Sequence, residues 1–439
     1  MRRRDTVFVG FMLFALFFGA GNLIYPPSLG ISAGTAYWPA IAGFVLTGVG
    51  LPILTVAAIS LVGNGAVELG QRVHPWFGVI FTSIVYLAIG PFFGIPRAAN
   101  VAYEMGVSPL ITTPSSQWLL LFSIAFFSLV FIVSLNASKL VDRIGQWLTP
   151  ALLLTIIALV IGSLWGLKGE PASPSSAYQT QPFFTGFIEG YLTMDAIAAL
   201  AFGIIVMTAF HEKGVQSRRR VMLRTLQAGG VTAIGLSTVY ASIGWIGSRM
   251  ADKGTFTNGG EILSGAANLI YGSTGALLLG VLVALACLTT CIGLTVACGQ
   301  FFSSQFPVLS YKAVISIVTL LSLTITNVGL NQIIAFSVPV LVFIYPVAIV
   351  LVLLTFIHPV FQGSPYVYRG ALLFTAAMSL YDGLTAFGLD LAAVHSYLSI
   401  LPLFEQGLGW LIPALAGGLI GWVWHLIKIR QNGHIALDS

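Results

Sequence analysis

Charge is what this chain has least of. Lys, Arg, Asp and Glu make up 8% of its 439 residues, whereas a soluble chain carries about 25% to wet its surface. A water-facing globule is therefore excluded. Disorder is excluded as well: with 57% apolar residues and a mean hydropathy of +0.95, the chain holds too much apolar side chain to stay solvated. Three cysteines rule out a disulfide scaffold. No short-period repeat appears, and no polar stretch is long enough for a soluble domain. The longest, Gly169 to Gln181, reads as a loop on the far side of a membrane. What remains is a chain threaded many times through a bilayer.

The few charges mark the edges of the spans. Between Asp5 and Glu68 lie 62 uncharged residues, between Glu261 and Lys312 50, and between Lys312 and Arg369 56. Gaps of 24 follow Arg72, Arg143 and Arg224. A helix needs about 20 apolar residues to cross the hydrocarbon layer, so the short gaps hold one crossing each and the long gaps two. The runs are continuous rather than alternating, which disfavours a barrel. Splitting the long gaps at Gly, Pro and Asn clusters gives an all-α integral membrane fold of about twelve helices. They lie near 6–34, 37–62, 76–98, 116–135, 142–166, 184–210, 221–249, 274–303, 312–328, 331–357, 366–388 and 407–428. Three arginines before an apolar run imitate a signal peptide. The run continues past Asn22 and Pro26-Pro27 without a small-residue cleavage site, so it reads as a retained first helix.

Lys and Arg set the orientation. With the N-terminus inside, fifteen fall on the inner face, among them Arg2, Arg3, Arg4, Lys213, Arg218, Arg219 and Arg220, and four on the outer: Arg97, Lys168, Arg249 and Lys253. That asymmetry places both termini in the cytoplasm. The net charge of +5 follows from topology and carries no nucleic-acid signal.

Two helices are interrupted at corresponding places. The first reads FALFFGAGNLIYPP from Phe14 to Pro27. Gly19 and Gly21 remove side chains, Asn22 competes for backbone hydrogen bonds, and the prolines delete two donors. The sixth, Gly186 to Asp195, places an ionisable residue, Asp195, inside an apolar run that continues to Phe210. Such a residue costs about 2.5–3.5 kcal/mol on insertion scales. Asp195 reads either as the cap of a second half-helix or as a proton or ion group. Helix rise puts Gly19 about 20 Å in from one face and Asp195 about 16 Å in from the other, both near the midplane of a core about 30 Å thick. Breaks five helices apart and approached from opposite faces are what an inverted repeat of five helices produces. Its halves would be 6–166 and 184–357, with two further helices at 366–428. Opened backbone at this depth offers N–H groups to a carboxylate and C=O groups to a cation.

In the eighth helix Ala286, Thr289 and Thr290 share one face at mid-depth. A carbonyl and two hydroxyls are hard ligands suited to an alkali cation, or the hydroxyls bond back to their own helix. Cys287, Cys291 and Cys298 lack metal spacing and read as small packing residues. Arg97, near the outer end of the third helix, reads as a gate pairing with Glu104, Glu189 or Asp382, or as a snorkelling interfacial cation. The six histidines show no paired spacing, so an embedded enzyme is not expected. Nor is a channel, since no filter-like segment appears.

Phe14 to Pro27, GFIEGYLTMDAIAALAFG from Gly186 to Gly203, and GPFFGIPRAAN from Gly90 to Asn100 resemble the bacterial branched-chain amino acid:cation symporter family, the BrnQ-type carriers of the amino acid–polyamine–organocation superfamily. The resemblance spans essentially the whole chain. It implies a leucine-transporter-like core of five plus five helices with two extra, in the inner membrane of a bacterial cell. It also implies uptake of leucine, isoleucine and valine coupled to sodium, with protons in some members. By the same resemblance, Gly19, Ala20, Gly21 and Asn22 cradle the amino acid, Asn22 helps coordinate an ion, and Ala286, Thr289 and Thr290 form a sodium site with carbonyls from around Ala15 and Phe18. Asp195 has no strict counterpart there. The expected binding mode sets the substrate carboxylate on N–H groups of Ala20 to Asn22 and its ammonium on carbonyls of Tyr191, Leu192, Thr193 and Met194. Phe14, Phe18 and Phe202 are candidate walls. If protons drive the carrier instead, Asp195 is their site.

Overall fold

A computed structural model describes residues 3–63, 65–111, 115–136, 139–212, 214–215 and 217–435. Among the inner-face cations, Arg2 and Lys213 lie outside the described residues. The described residues form helices and no strand. Helices α1 (Arg3–Phe17) and α2 (Ala20–Ala33) are the two halves of the first apolar segment. Helices α3 (Tyr37–Val45) and α4 (Leu51–Val62) flank a π-helical turn at Leu46–Gly50, and the short α5 (Ala66–Gln71) follows. The third segment is α6 (Pro75–Leu87) and α7 (Gly94–Gly106), joined through a π turn in which Gly90 is non-helical. Next come α8 (Ser116–Leu135), α9 (Lys139–Gly166) and the small loop helix α10 (Ser176–Gln179). The sixth segment is α11 (Pro182–Glu189) and α12 (Asp195–Glu212). Beyond it run α13 (Arg218–Ser248), α14 (Gly259–Gln305), α15 (Tyr311–Thr326), α16 (Leu330–Ile357), α17 (Pro365–Ala386), α18 (Ala392–Leu398) and α19 (Leu411–Ile435).

All twelve expected stretches fall on helix, with ends and local breaks that differ. Two differences have clear causes. α14 begins fifteen residues early because a segment ahead of the expected span is also helical, and Gly272 (φ 69°) turns the chain between the two parts. The third segment runs to Gly106 rather than 98, since nothing from Ala98 to Met105 breaks a helix. Among the described residues nine helical segments are long and apolar enough to cross a membrane by length and composition; the first, Ala20–Val62, is 43 residues long and suffices for two crossings.

Packing centres on the broken segments. Both α1 and α2 lean on α13, while α11 leans on α3 and α12 on α4. Because lipid tails are as apolar as leucine, helices in a bilayer associate by close approach, and glycines mark the crossings. A Cβ on Gly30 would lie 1.9 Å from the Gly244 carbonyl oxygen, and one on Gly186 2.0 Å from that of Ala40. The three cysteines are buried and unbridged, as expected of packing residues. Cys291 Sγ approaches Ile95 O at 3.5 Å and Cys298 Sγ approaches Tyr86 O at 3.4 Å, against the third segment. The Gly169–Gln181 loop docks on the end of α2 through Thr35 N–H to Ala172 O (3.0 Å) and Ser175 N–H to Ser32 O (2.9 Å).

Gly30→Ala forces α2 off α13. Overpacking costs about 1–3 kcal/mol, so the purified protein should lose several degrees in its thermal aggregation midpoint. Gly293→Ala, whose Cβ meets nothing within 4 Å, should leave that midpoint unchanged.

Candidate functional site

Both interruptions are real. The first leaves Phe18 and Gly19 outside any helix, Gly19 being extended (φ −120°, ψ −170°). In the second, a 3-10 turn at Gly190–Thr193 ends at Met194, which adopts the left-handed conformation (φ 67°, ψ 6°). That conformation costs a non-glycine residue about 1–2 kcal/mol and therefore needs support from its surroundings. The neighbouring π turn supplies part of it: Thr47 Oγ1 donates to Phe187 O at 2.7 Å, and a Cβ on Gly190 would collide with that hydroxyl oxygen.

A polar knot joins the breaks. Asn22 Nδ2, with two protons to donate, lies within hydrogen-bond distance of three acceptors: Phe17 O (2.7 Å), the last carbonyl of α1, Asp195 Oδ2 (2.9 Å) and the Tyr240 hydroxyl. The Tyr240 hydroxyl in turn donates to Asp195 Oδ2 at 3.2 Å. Asn22, Asp195 and Tyr240 are buried at 1%, 6% and 0% exposure, so each of these bonds is made without water as a competitor. Asp195 is the first residue of α12. Its carboxylate reaches across to the first segment and to α13, and the Thr193 hydroxyl lies nearest its backbone N–H (3.4 Å).

Arg97, expected as an outer gate, lies buried within its helix rather than at the helix end. Because α7 continues to Gly106, Arg97 lies about 13 Å below the helix end at about 1.5 Å per residue. It pairs with none of Glu104, Glu189 and Asp382; the ion pair found among the described residues is Lys253–Asp252. Its guanidinium enters the second break instead. Nη1 donates to Leu192 O (2.6 Å) and the Tyr25 hydroxyl (3.1 Å), and Nη2 donates to Thr193 O (3.1 Å). Two of the four carbonyls expected to receive a ligand's ammonium, those of Leu192 and Thr193, thus already hold a cation. Gly21 makes room for it, since a Cβ there would lie 2.8 Å from Nη2. Arg97 also leaves the outer-face set of cations, being 4% exposed.

The helix-8 oxygens are grouped with one another. Thr289 and Thr290 each donate to Ala286 O at 2.9 Å, the back-bonding alternative, which spends the hydroxyl protons and leaves the oxygen lone pairs. α14 packs chiefly on α7 and α9, and α1 chiefly on α13. Phe18 is buried while Ala15 is exposed. Sequence reasoning missed Tyr240, Tyr25 and Tyr345. The only trace of them is a phenol in an apolar helix, where phenylalanine would serve packing as well.

The family model described as Branched-chain amino acid transport protein matches residues 2–428. The chain belongs to this family. The branched-chain amino acid permease BraB of Bacillus subtilis (strain 168) is 46% identical over 96% of this chain and 95% of its own length. The branched-chain amino acid transport system 2 carrier protein of Pseudomonas aeruginosa is 44% identical over 93% of both, and the permease BrnQ of Escherichia coli (strain K12) 38% over 98% of both. Among solved structures the chain resembles the inward-facing conformation of Mhp1 (TM-score 0.60, 15% identity, covering 95% of this chain and 91% of that one). It also resembles MhsT in complex with L-phenylalanine (TM-score 0.55, 15% identity, 98% of each). These two share the fold with it. The family member described here is a multi-pass membrane transport protein and not an enzyme.

Tyr240→Phe removes one donor from the Asp195 carboxylate and keeps the ring against Phe44, whose centroid is 5.6 Å away. Hydrogen bonds to charged groups contribute about 1.5–3 kcal/mol, so the variant should lose about tenfold or more in initial uptake rate in proteoliposomes at unchanged protein content.

Proposed function

We propose that the protein imports branched-chain L-amino acids (leucine, isoleucine and valine) by symport with sodium, alternating access around the two breaks. The observation that carries this reading is the Asn22–Asp195–Tyr240 knot, in which one buried polar cluster ties two opened helices to each other and to α13. Polar groups at this depth are functional by default. The names of the relatives supply the substrate class. Phe14 and Phe18, stacked at 5.3 Å, together with Phe202 offer apolar wall for a branched side chain.

The inverted repeat, 6–166 against 184–357 with 366–428 appended, is supported by exchanged packing: the halves of one broken segment lean on α13, and the halves of the other on α3 and α4. Each half carries a glycine at its crossing, Gly10 and Gly30 in one segment and Gly186 and Gly203 in the other. Both termini are cytoplasmic in this reading and the membrane is the bacterial inner membrane. Sodium is cargo as well as coupling ion. Ala286, Thr289 and Thr290 would hold it through oxygen, with Ala15 and Phe18 carbonyls brought to it when α1 approaches α14. Of the Asn22 amide, Oδ1 remains to meet an ion. The ion biases conformation only by its differential affinity for the two states.

One observation favours proton coupling as a second reading: Asp195 is a buried carboxylate whose hydrogen-bond donors, Asn22 and Tyr240, are uncharged. Uptake of labelled leucine into proteoliposomes under a sodium gradient, then under a proton gradient, separates the two. Under the first reading Thr289→Ala and Thr290→Ala each raise the sodium concentration for half-maximal uptake by about tenfold, the worth of about 1.4 kcal/mol. Unchanged sodium dependence in both removes the helix-8 site. Sodium-independent flux driven by pH and abolished in Asp195→Asn selects the second reading.

A further inference from the structure

The second break is already occupied by a fixed positive charge. A ligand ammonium placed on Leu192 O or Thr193 O would share an oxygen with the Arg97 guanidinium, and like charges a few ångströms apart in a low-dielectric site repel strongly. The same guanidinium rests against the first turn of α2, where Gly21 leaves it room. The first N–H groups of a helix have no partner within it, and the helix dipole makes that end positive. Two positive elements from different parts of the chain therefore converge on one spot.

Buried donors without partners lie on the segments that meet here. Arg97 Nε is buried without a hydrogen-bond partner, as are the hydroxyls of Tyr191 and Tyr345. The two tyrosine rings stack at 4.6 Å. A buried N–H or O–H left unmade costs about 1–3 kcal/mol, so each of the three calls for an acceptor. The Asp195 carboxylate, tied to the first break through Asn22, supplies a negative charge.

We propose that Arg97 is a substrate-positioning residue: with the N-terminus of α2 and the Tyr191 and Tyr345 hydroxyls it holds the carboxylate of the amino acid, and it turns the ammonium away from the second break and toward Asp195. This rests on the transport reading above and departs from the expected mode, in which the ammonium meets carbonyls of residues 191–194. The charges balance: zwitterionic substrate against one Arg and one Asp.

The test pairs variants with ligands that lack one end of leucine: 3-methylbutylamine has no carboxylate, and 4-methylpentanoate has no ammonium. Inhibition of labelled leucine uptake is measured with the full-length protein in proteoliposomes. Arg97→Lys should weaken leucine and 4-methylpentanoate by about tenfold or more, the scale of a lost charge-assisted hydrogen bond, and leave 3-methylbutylamine within about twofold. Tyr345→Phe and Tyr191→Phe, which remove a single oxygen each and preserve the ring stack, should show the same selectivity if Arg97→Lys does not fold. Equal weakening of the amine and of leucine, or wild-type leucine affinity in all the variants that fold, overturns the assignment. Absence of leucine uptake by the wild-type protein would instead overturn the transport reading on which the assignment rests.

Discussion

A helix can be opened inside a bilayer only where something replaces the hydrogen bonds that opening removes, because lipid provides neither donor nor acceptor. Here the replacement is made by three side chains from three parts of the sequence. Asn22 returns to the last carbonyl of α1, Arg97 takes two carbonyls of the second break, and Thr47 takes the carbonyl of Phe187. Remove these and the interruptions would close into continuous helix or fill with water. The candidate site and the structural repair thus share the same atoms.

The repair explains the placement of charge. Arg97 and Asp195 are both buried, yet each is satisfied mainly by neutral partners: the arginine by carbonyls and a phenol, the aspartate by an amide and a phenol. A buried ion pair locked on itself is a poor ligand site, since each charge has spent its interaction on the other. Held apart, the two charges keep an oriented field between them. In the proposed site that is the preorganisation a zwitterion requires, and a site collapsed into one Arg–Asp bridge would lack it.

Much of this was legible in the sequence. Scarce charge and long apolar runs required a polytopic helical protein, and Gly-x-Gly-Asn before two prolines, with Asp195 in an apolar run, located both breaks. What escaped were properties of three-dimensional juxtaposition. Arg97 was misplaced because the third segment runs eight residues further than its charge pattern indicates, and because its π turn at Ala88–Phe92 carries no composition signal beyond Gly90-Pro91. Tyr240 and Tyr345 matter through one oxygen each, and one-dimensional pattern does not separate a phenol that works from a ring that fills space. The threonine pair on α14 carried two readings from the start, and the hydroxyls bond back to Ala286 without deciding between them, since their lone pairs remain.

Met194 has one more consequence. It is the single residue between the 3-10 turn and α12, so it sets the rotational phase at which the inner half-helix begins. One residue added or lost there would rotate α12 by about 100° about its axis, swinging the carboxylate of Asp195 away from Asn22 and turning an aliphatic side chain inward. Length changes should therefore be purged from this short stretch during evolution, while the surface loop ahead of α11 is free to drift in length.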